Sequence, residues 1–484
     1  MNLKTISRNV GYALLVSALF MFLSIIVSLV DGRDSALAAL MISFLITFIV
    51  GIFPFIFVRR TSAVTLKEGY LIIVLSWFLS FVFGALPYVL WGGPFDVVNA
   101  WFESVSGYTT TGATILSSVE DLPRSLLFWR SSTHFIGGLG VVVFLLLIIP
   151  DSSPVRMRLT NMELSSLSKS EYRTRANKTV YIFTYVYLGI FAAAAVAYTL
   201  AGMTPFDAIC HAFSVCATGG FSTKDLSIAA FGSPLIELIT MLFMVLASIH
   251  FGLVFLSFAT RSLKPLRNPV LEFYILALLL FSVLTGLGLK FSGTYSELGR
   301  ALWVGTFQTV STASTTGFAI ADNASWPMAV NILMMFMAVM CGCAGSTTGG
   351  VKADRILVLF RAIGRQIRST LHPSGVSEVK LGTRVLRDSE VAPHILYIAM
   401  YCFILAVSVL LSMSFGVNPH SSFAASVSSL GNVGPAICEL GSLGNFGAIP
   451  DAAKAVFTVD MFLGRIEIYP ILAVVAMIFD TGRR

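Results

Sequence analysis

Uncharged apolar runs long enough to cross a membrane recur along the chain, and between several of them stands a short segment of Ser, Thr and Gly. The runs predict helical spans over Val10–Val30, Ala36–Val58, Gly69–Trp91, Ser125–Ile149, Tyr181–Ala201, Leu235–Phe258, Phe273–Leu289, Met328–Leu359, Ala392–Ser414 and Ala453–Phe479. That makes roughly ten crossings at about 20 residues each. The first run is too long for a secretory leader and a second follows at once, so both are read as retained spans. The interrupting segments are Thr110-Thr111-Gly112-Ala113, Thr218-Gly219-Gly220-Phe221, Thr315-Thr316-Gly317-Phe318 and Asn432-Val433-Gly434-Pro435. Before them lie Asp96–Tyr108, Pro205–Ala217, Glu297–Ser314 and His420–Gly431, stretches that suit a half-membrane helix but not a crossing.

The glycines recur about every hundred residues, so the chain beyond residue 65 reads as four copies of one unit: span, half-helix, glycine segment, span. The expected fold is an all-α membrane protein with two N-terminal spans and four pseudo-fourfold span–pore-helix–span repeats around a central pore. The boundaries are 1–65 for the two-span segment, then 66–177, 178–268, 269–388 and 389–484 for the repeats.

Composition agrees with this setting. The 484 residues are 56% hydrophobic and 12% charged, with a mean hydropathy of +0.84. The net charge of +7 has an ordinary origin, because cytoplasmic loops of membrane proteins are enriched in Lys and Arg, and no nucleic-acid partner is implied. The basic residues Lys4, Arg8, Arg59, Arg60, Lys67, Arg156, Arg158, Lys169, Arg173, Arg175, Arg261, Lys264, Arg267, Lys352 to Arg387, Arg483 and Arg484 all fall on one side if both termini are cytoplasmic. Six cysteines, Cys210, Cys216, Cys341, Cys343, Cys402 and Cys438, lack metal-site spacing and read as buried free thiols. No Ser/His/Asp constellation stands in an aqueous loop, and an enzyme is not expected.

Irregular backbone within a bilayer is tolerated where it lines a water- or ion-filled cavity. A monovalent cation that sheds its water needs oxygens of matched geometry, which a ring of backbone carbonyls supplies without fixed charge. Glycine permits the backbone angles that aim such carbonyls at one axis, and each repeat would give a quarter of the ring. No acidic ring accompanies the segments, which disfavours a calcium-type filter. For one segment alone, a helix-packing motif serves as well.

On Thr109–Thr114, Ala217–Ser222, Ser314–Phe318 and Gly431–Ala436, together with the two extra N-terminal spans, the chain resembles the Trk/Ktr/HKT superfamily of potassium transporters, and most closely its bacterial TrkH/TrkG type. The resemblance implies a potassium-binding filter of Thr110, Thr111, Gly112, Thr218, Gly219, Gly220, Thr315, Thr316, Gly317, Asn432, Val433 and Gly434. Asn432-Val433 departs from the threonine pattern, which makes the fourfold equivalence approximate. The resemblance further implies K+ as the transported ion and a homodimer with one pore per protomer. It also implies a cytosolic NAD- or ATP-binding Trk regulatory subunit, no nucleotide on this chain, and residence in the bacterial inner membrane among its lipids.

Two features stand outside the fourfold pattern. The eighth span carries Cys341-Gly342-Cys343-Ala344-Gly345-Ser346-Thr347-Thr348-Gly349-Gly350, too rich in glycine and hydroxyls to stay helical. It is read as a gate loop below the filter, with a packing kink as the bland alternative. A phosphate loop is excluded because no soluble strand precedes it and no Lys-Ser/Thr follows the glycine. Arg465, deep in the last span, is by resemblance an electrostatic barrier beside that loop; neutralisation by Asp460 or Glu467 is the alternative. Glu103, His134, His211 and His250 are expected to be hydrogen-bonded structural groups, and Arg130 and Glu237 to lie near interfaces. The stretch from Arg361 to Arg387 reads as a solvated, lipid-contacting loop or a docking surface. An ion-coupled secondary transporter with alternating access remains the second reading.

Overall fold

The computed structural model describes residues 2–58, 65–140, 176–373, 377–382, 384–436 and 440–481. Residues 141–149 of the fourth expected span, the basic residues at 59–60, 156–175 and 483–484, and Cys438 lie outside them.

Two long helices open the chain, α1 (Leu3–Val30) and α2 (Leu37–Phe57), packed on each other. Asn2 caps α1 by accepting from the Lys4 and Thr5 amides. The first repeat holds α3 (Leu66–Trp91), started by a Thr65/Glu68 capping box, the half-length α4 (Val97–Tyr108) capped by Asp96, and α5 (Arg124–Leu139). The second holds α6 (Ala176–Leu200), the half-length α7 (Pro205–Ala217) capped by Thr204, α8 (Pro234–Ser248) and α9 (Phe251–Thr260). The third holds α10 (Pro269–Phe291), the half-length α11 (Leu298–Ala313), α12 (Met328–Met340) and α13 (Ala353–Leu371), then a hairpin in which β1 (Val379–Leu381) pairs antiparallel with β2 (Arg384–Leu386). The fourth holds α14 (Asp388–Ser414), the half-length α15 (Pro419–Gly431) capped by Asn418, α16 (Asp451–Arg465) and α17 (Tyr469–Thr481).

The four units close in chain order. α5 packs on the half-helix α7, α8 on α11, α12 on α15, and α16 returns to α4. The outward faces are apolar: on α10, Leu276, Leu279, Leu280 and Val283 are exposed at helical spacing, as a lipid-facing stripe requires. Among the described residues six unbroken helices are long and apolar enough to cross a membrane. The chain is a multi-pass membrane protein.

Three of the other expected crossings are broken, and here the structure departs from the expected spans. Leu235–Phe258 is not one helix: α8 and α9 meet at 102° around Ile249-His250. Ala453–Phe479 divides at Glu467 and Ile468, which adopt φ of +61° and +55°. The third repeat breaks over 341–352, between α12 and α13. Interruption of the second long helix is therefore common to repeats two, three and four, where sequence alone marked it in the third. The other two breaks lack glycine runs; tertiary bonds, not helix propensity, hold them open.

Candidate functional site

Each half-helix ends in the same four-residue geometry. Thr110, Thr218, Thr315 and Asn432 have φ of +53°, +55°, +54° and +54°, and the glycine two residues on has φ of +80° at Gly112, +82° at Gly220, +76° at Gly317 and +90° at Gly434. Asn tolerates the left-handed region, but Thr is β-branched and is strained there by about 1–3 kcal/mol. Repeated bonds hold the strain. The amide of the residue between the two positive-φ positions donates back into its half-helix: Thr111 to the Ser106 carbonyl at 2.9 Å, Gly219 to Ser214 at 2.9 Å, Thr316 to Ser311 at 3.0 Å, and Val433 to Ser428 at 2.9 Å.

The segments meet one another edge to edge. A Cβ on Gly112 would overlap the carbonyl of Gly219; on Gly220, that of Thr316; on Gly317, that of Val433; and on Gly434, that of Thr111. Four contacts thus run from repeat one to two, three, four and back to one, forming a closed ring of backbone in which only glycine fits. One cavity is lined by Gly112, Gly220, Gly317 and Gly434 together, on the side where each segment leaves the ring. All four half-helices end at it, which places the negative ends of their dipoles on the ring, an arrangement that favours a cation there.

The ring's far side is covered by the loop between α12 and α13. Cys341, Gly345, Gly350 and Lys352 all have positive φ, which excludes helix. The Gly349 amide donates to the Thr315 hydroxyl at 3.3 Å, and Gly349 itself abuts the Gly431 carbonyl and the Asn432 side chain. Thr347 donates to the carbonyls of Cys216 and Ala247, each at 3.2 Å. Ser346 bonds the Cys343 carbonyl at 2.6 Å and Thr348 at 2.8 Å, and the Gly345 carbonyl accepts from the Phe251 amide at 3.0 Å at the α8–α9 break. Gly350 packs on the Cys341 side chain. Arg465, at the end of α16, reaches across: its guanidinium donates to the Thr347 carbonyl at 2.7 Å and to the Gly137 and Gly138 carbonyls of α5 at 2.6 and 2.9 Å.

A profile of the TrkH family, described as cation transport protein, matches residues 36–483. The Trk system potassium uptake protein TrkH of Salmonella typhimurium is 34% identical, with 98% of each chain covered, and TrkG of Escherichia coli is 32% identical over 97% of each. The crystal structure of the potassium transporter TrkH from Vibrio parahaemolyticus superposes with a TM-score of 0.87 at 33% identity, covering 98% of both chains. The chain belongs to the TrkH family of cation transport proteins. It is a transporter-family member, not an enzyme.

In this TrkH-family chain several side chains sit elsewhere than expected. Arg130 is not at an interface: it is buried, its Nε bonds Glu103 at 2.5 Å, its guanidinium lies 3.6 Å from the Phe221 ring centroid, and it donates to the Ser222 carbonyl at 3.3 Å. Glu103 also accepts from the Thr114 hydroxyl and the Ile115 amide, so this pair ties repeat one to the exit of the second segment. Glu237 is buried as well and accepts from the Trp303 indole at 2.5 Å. His134 stacks on Phe221 at 4.1 Å and bonds Ser214, and His211 links the Asp207 carbonyl to Ser222. Among the described residues no cluster suits a metal ion of the His/Cys/Asp/Glu type. Cys210, Cys216, Cys341 and Cys343 are buried free thiols, whereas Cys402 is exposed.

The carboxylates weighed as partners for Arg465 are engaged elsewhere. Glu467 pairs with Lys352 and Arg355, both at 2.7 Å, and Asp460 accepts from Ser408. Lys352 and Arg355 follow the loop directly, so Glu467 anchors its exit to the α16–α17 break. The sequence reading also passed over one regular signal, a serine six residues before each ring glycine: Ser106, Ser214, Ser311 and Ser428.

Proposed function

We propose that the chain conducts potassium into the cell through the ring, with Thr110, Thr111, Gly112, Thr218, Gly219, Gly220, Thr315, Thr316, Gly317, Asn432, Val433 and Gly434 as its selectivity filter. The observation that carries this reading is the cyclic contact of the four glycines, each against the next segment's carbonyl, with one cavity common to all four. Backbone oxygens at this spacing replace water around a bare cation without trapping it. The potassium-uptake names of the relatives agree with that choice of ion.

The loop from Gly345, Ser346, Thr347, Thr348 and Gly349 to Gly350 serves as the gate, and Arg465 both pins it and repels cations beneath the filter. Opening requires the loop to leave Thr315, Cys216 and Ala247 and Arg465 to release Thr347. The unit boundaries 66–177, 178–268, 269–388 and 389–484 follow the four quadrants. The basic segments, including Arg261, Lys264, Arg267 and the α13–hairpin region, face the cytoplasm of a bacterial inner membrane, and there a nucleotide-binding Trk partner docks on a homodimer. Alternating access is the weaker reading, since the half-helices converge on one ring in chain order.

The test is tracer flux into vesicles holding the purified protein, with K+ or Na+ outside, beside growth on low potassium of a strain lacking its own uptake systems. Concentrative K+ flux that discriminates against Na+ and restores growth is expected. Equal K+ and Na+ flux, or no rescue, would overturn the assignment.

A further inference from the structure

Three of the four serines preceding the ring hold their segment at both ends. The carbonyls of Ser106, Ser214 and Ser311 accept the amides of Thr111, Gly219 and Thr316, as described above. Their hydroxyls then donate to the carbonyl one residue past the glycine: Ser106 to Ala113 at 2.5 Å, Ser214 to Phe221 at 2.6 Å, and Ser311 to Phe318 at 2.6 Å. All three serines are buried. Each is a staple around three residues, Thr111–Ala113, Gly219–Phe221 or Thr316–Phe318, that include the glycine carbonyl.

The fourth quadrant keeps only half of this device. Ser428 accepts from Val433 at 2.9 Å, but its hydroxyl, 2% exposed as a residue, is without a hydrogen-bond partner among the described residues. The position that answers to Ala113, Phe221 and Phe318 is Pro435, whose ring packs on Gly317. Proline fixes its own φ but leaves ψ, which aims its carbonyl, to the surroundings. Ser428 and Pro435 line a cavity of about 30 Å³ between the third and fourth half-helices, and Ser311 and Phe318 line it too, so what separates the two quadrants is the staple bond that Ser311 makes and Ser428 lacks among the described residues.

We propose that Ser106, Ser214 and Ser311 are positioning residues that set ion discrimination, and that the quadrant around Ser428 and Pro435 is the adaptable one. The proposal rests on the filter reading above. A carbonyl ring distinguishes cations by how firmly its oxygens hold their places, and one hydrogen bond at each segment's exit fixes the glycine carbonyl from the outer side. Three fixed quadrants and one compliant one give a ring that selects yet lets the ion pass.

The experiment measures K+ and Na+ tracer flux into vesicles for single serine-to-alanine variants, each first shown to elute from detergent gel filtration as the parent does. Ser106→Ala, Ser214→Ala and Ser311→Ala should each lower the K+/Na+ flux ratio by roughly three- to tenfold, the scale of one lost hydrogen bond. Ser428→Ala removes a hydroxyl that has no partner among the described residues and should leave the ratio where it was. A ratio equal to the parent's in the three staple variants, or a fall in Ser428→Ala matching theirs, overturns the proposal. Gly220→Ala separates the two readings: with the staples silent, a lost ratio there leaves the filter standing, and an unchanged ratio sinks the filter and the staples together.

Discussion

The ring and the loop beneath it are both irregular backbone at membrane depth, yet they are held in opposite ways. Each ring segment is satisfied mainly by its own half-helix, through the same amide-to-carbonyl bond repeated at Ser106, Ser214, Ser311 and Ser428. The loop over 341–352 bonds Thr315 of its own repeat but draws much of its hold from others: Cys216 and Ala247 from the second and Arg465 from the fourth, with Asn432 packed against it and Gly137 and Gly138 of the first beyond Arg465. Locally satisfied backbone stays put when neighbours move, whereas backbone satisfied across repeats is released when they separate. The same chemistry thus yields a ring held within its own units and a loop whose hold depends on its neighbours.

The strongest way to break this contrast is at the ring. Gly112→Ala or Gly317→Ala drives a Cβ into the next segment's carbonyl at a φ that L residues rarely adopt, and K+ flux should fall by about a hundredfold or more. Flux near that of the parent would show that the ring does not carry the ion. Next is the brace beside it: Glu103→Gln leaves Arg130 buried without its counter-charge and should cost about 3–5 kcal/mol, read as a lowered thermal midpoint in detergent. A shift no larger than that of an exposed pair such as Arg124–Asp31 would place the brace outside the fold's support.

The loop should respond in the other direction. Arg465→Ala removes the three bonds to Thr347, Gly137 and Gly138, and basal K+ flux should rise about tenfold. Unchanged or reduced flux would turn Arg465 into a structural cross-tie. The smallest effect belongs to Thr347→Val, which removes a hydroxyl shared between two carbonyls and should raise flux by roughly two- to threefold, with the K+/Na+ ratio unaltered. A changed ratio there would erase the division of labour between ring and loop.

Much of this was legible in the chain. The half-helix stretches Asp96–Tyr108 and Pro205–Ala217 were marked by being too short to cross, and the repeating Ser/Thr/Gly signature marked the ring positions. The breaks at His250 and Glu467 were not legible, because the surrounding sequence is apolar and helix-permissive and the interruption is held by distant partners. Nor was the environment of Arg130: a basic residue near the end of an apolar run looks like an interfacial anchor until Glu103 and Phe221 are brought around it.

The sequence by itself determined that four like units cross a membrane and that each carries one glycine segment after a half-length helix, since hydrophobic run length and the backbone freedom of glycine are local properties. Tertiary structure decided that the four turns abut in chain order, that of the four serines before the ring Ser428 is the one whose hydroxyl has no partner among the described residues, and that Arg465 spans two repeats to reach backbone carbonyls instead of a neighbouring carboxylate. Those outcomes depend on which groups meet across the ring, and a carbonyl or a hydroxyl gives no sign in sequence of the direction it will face.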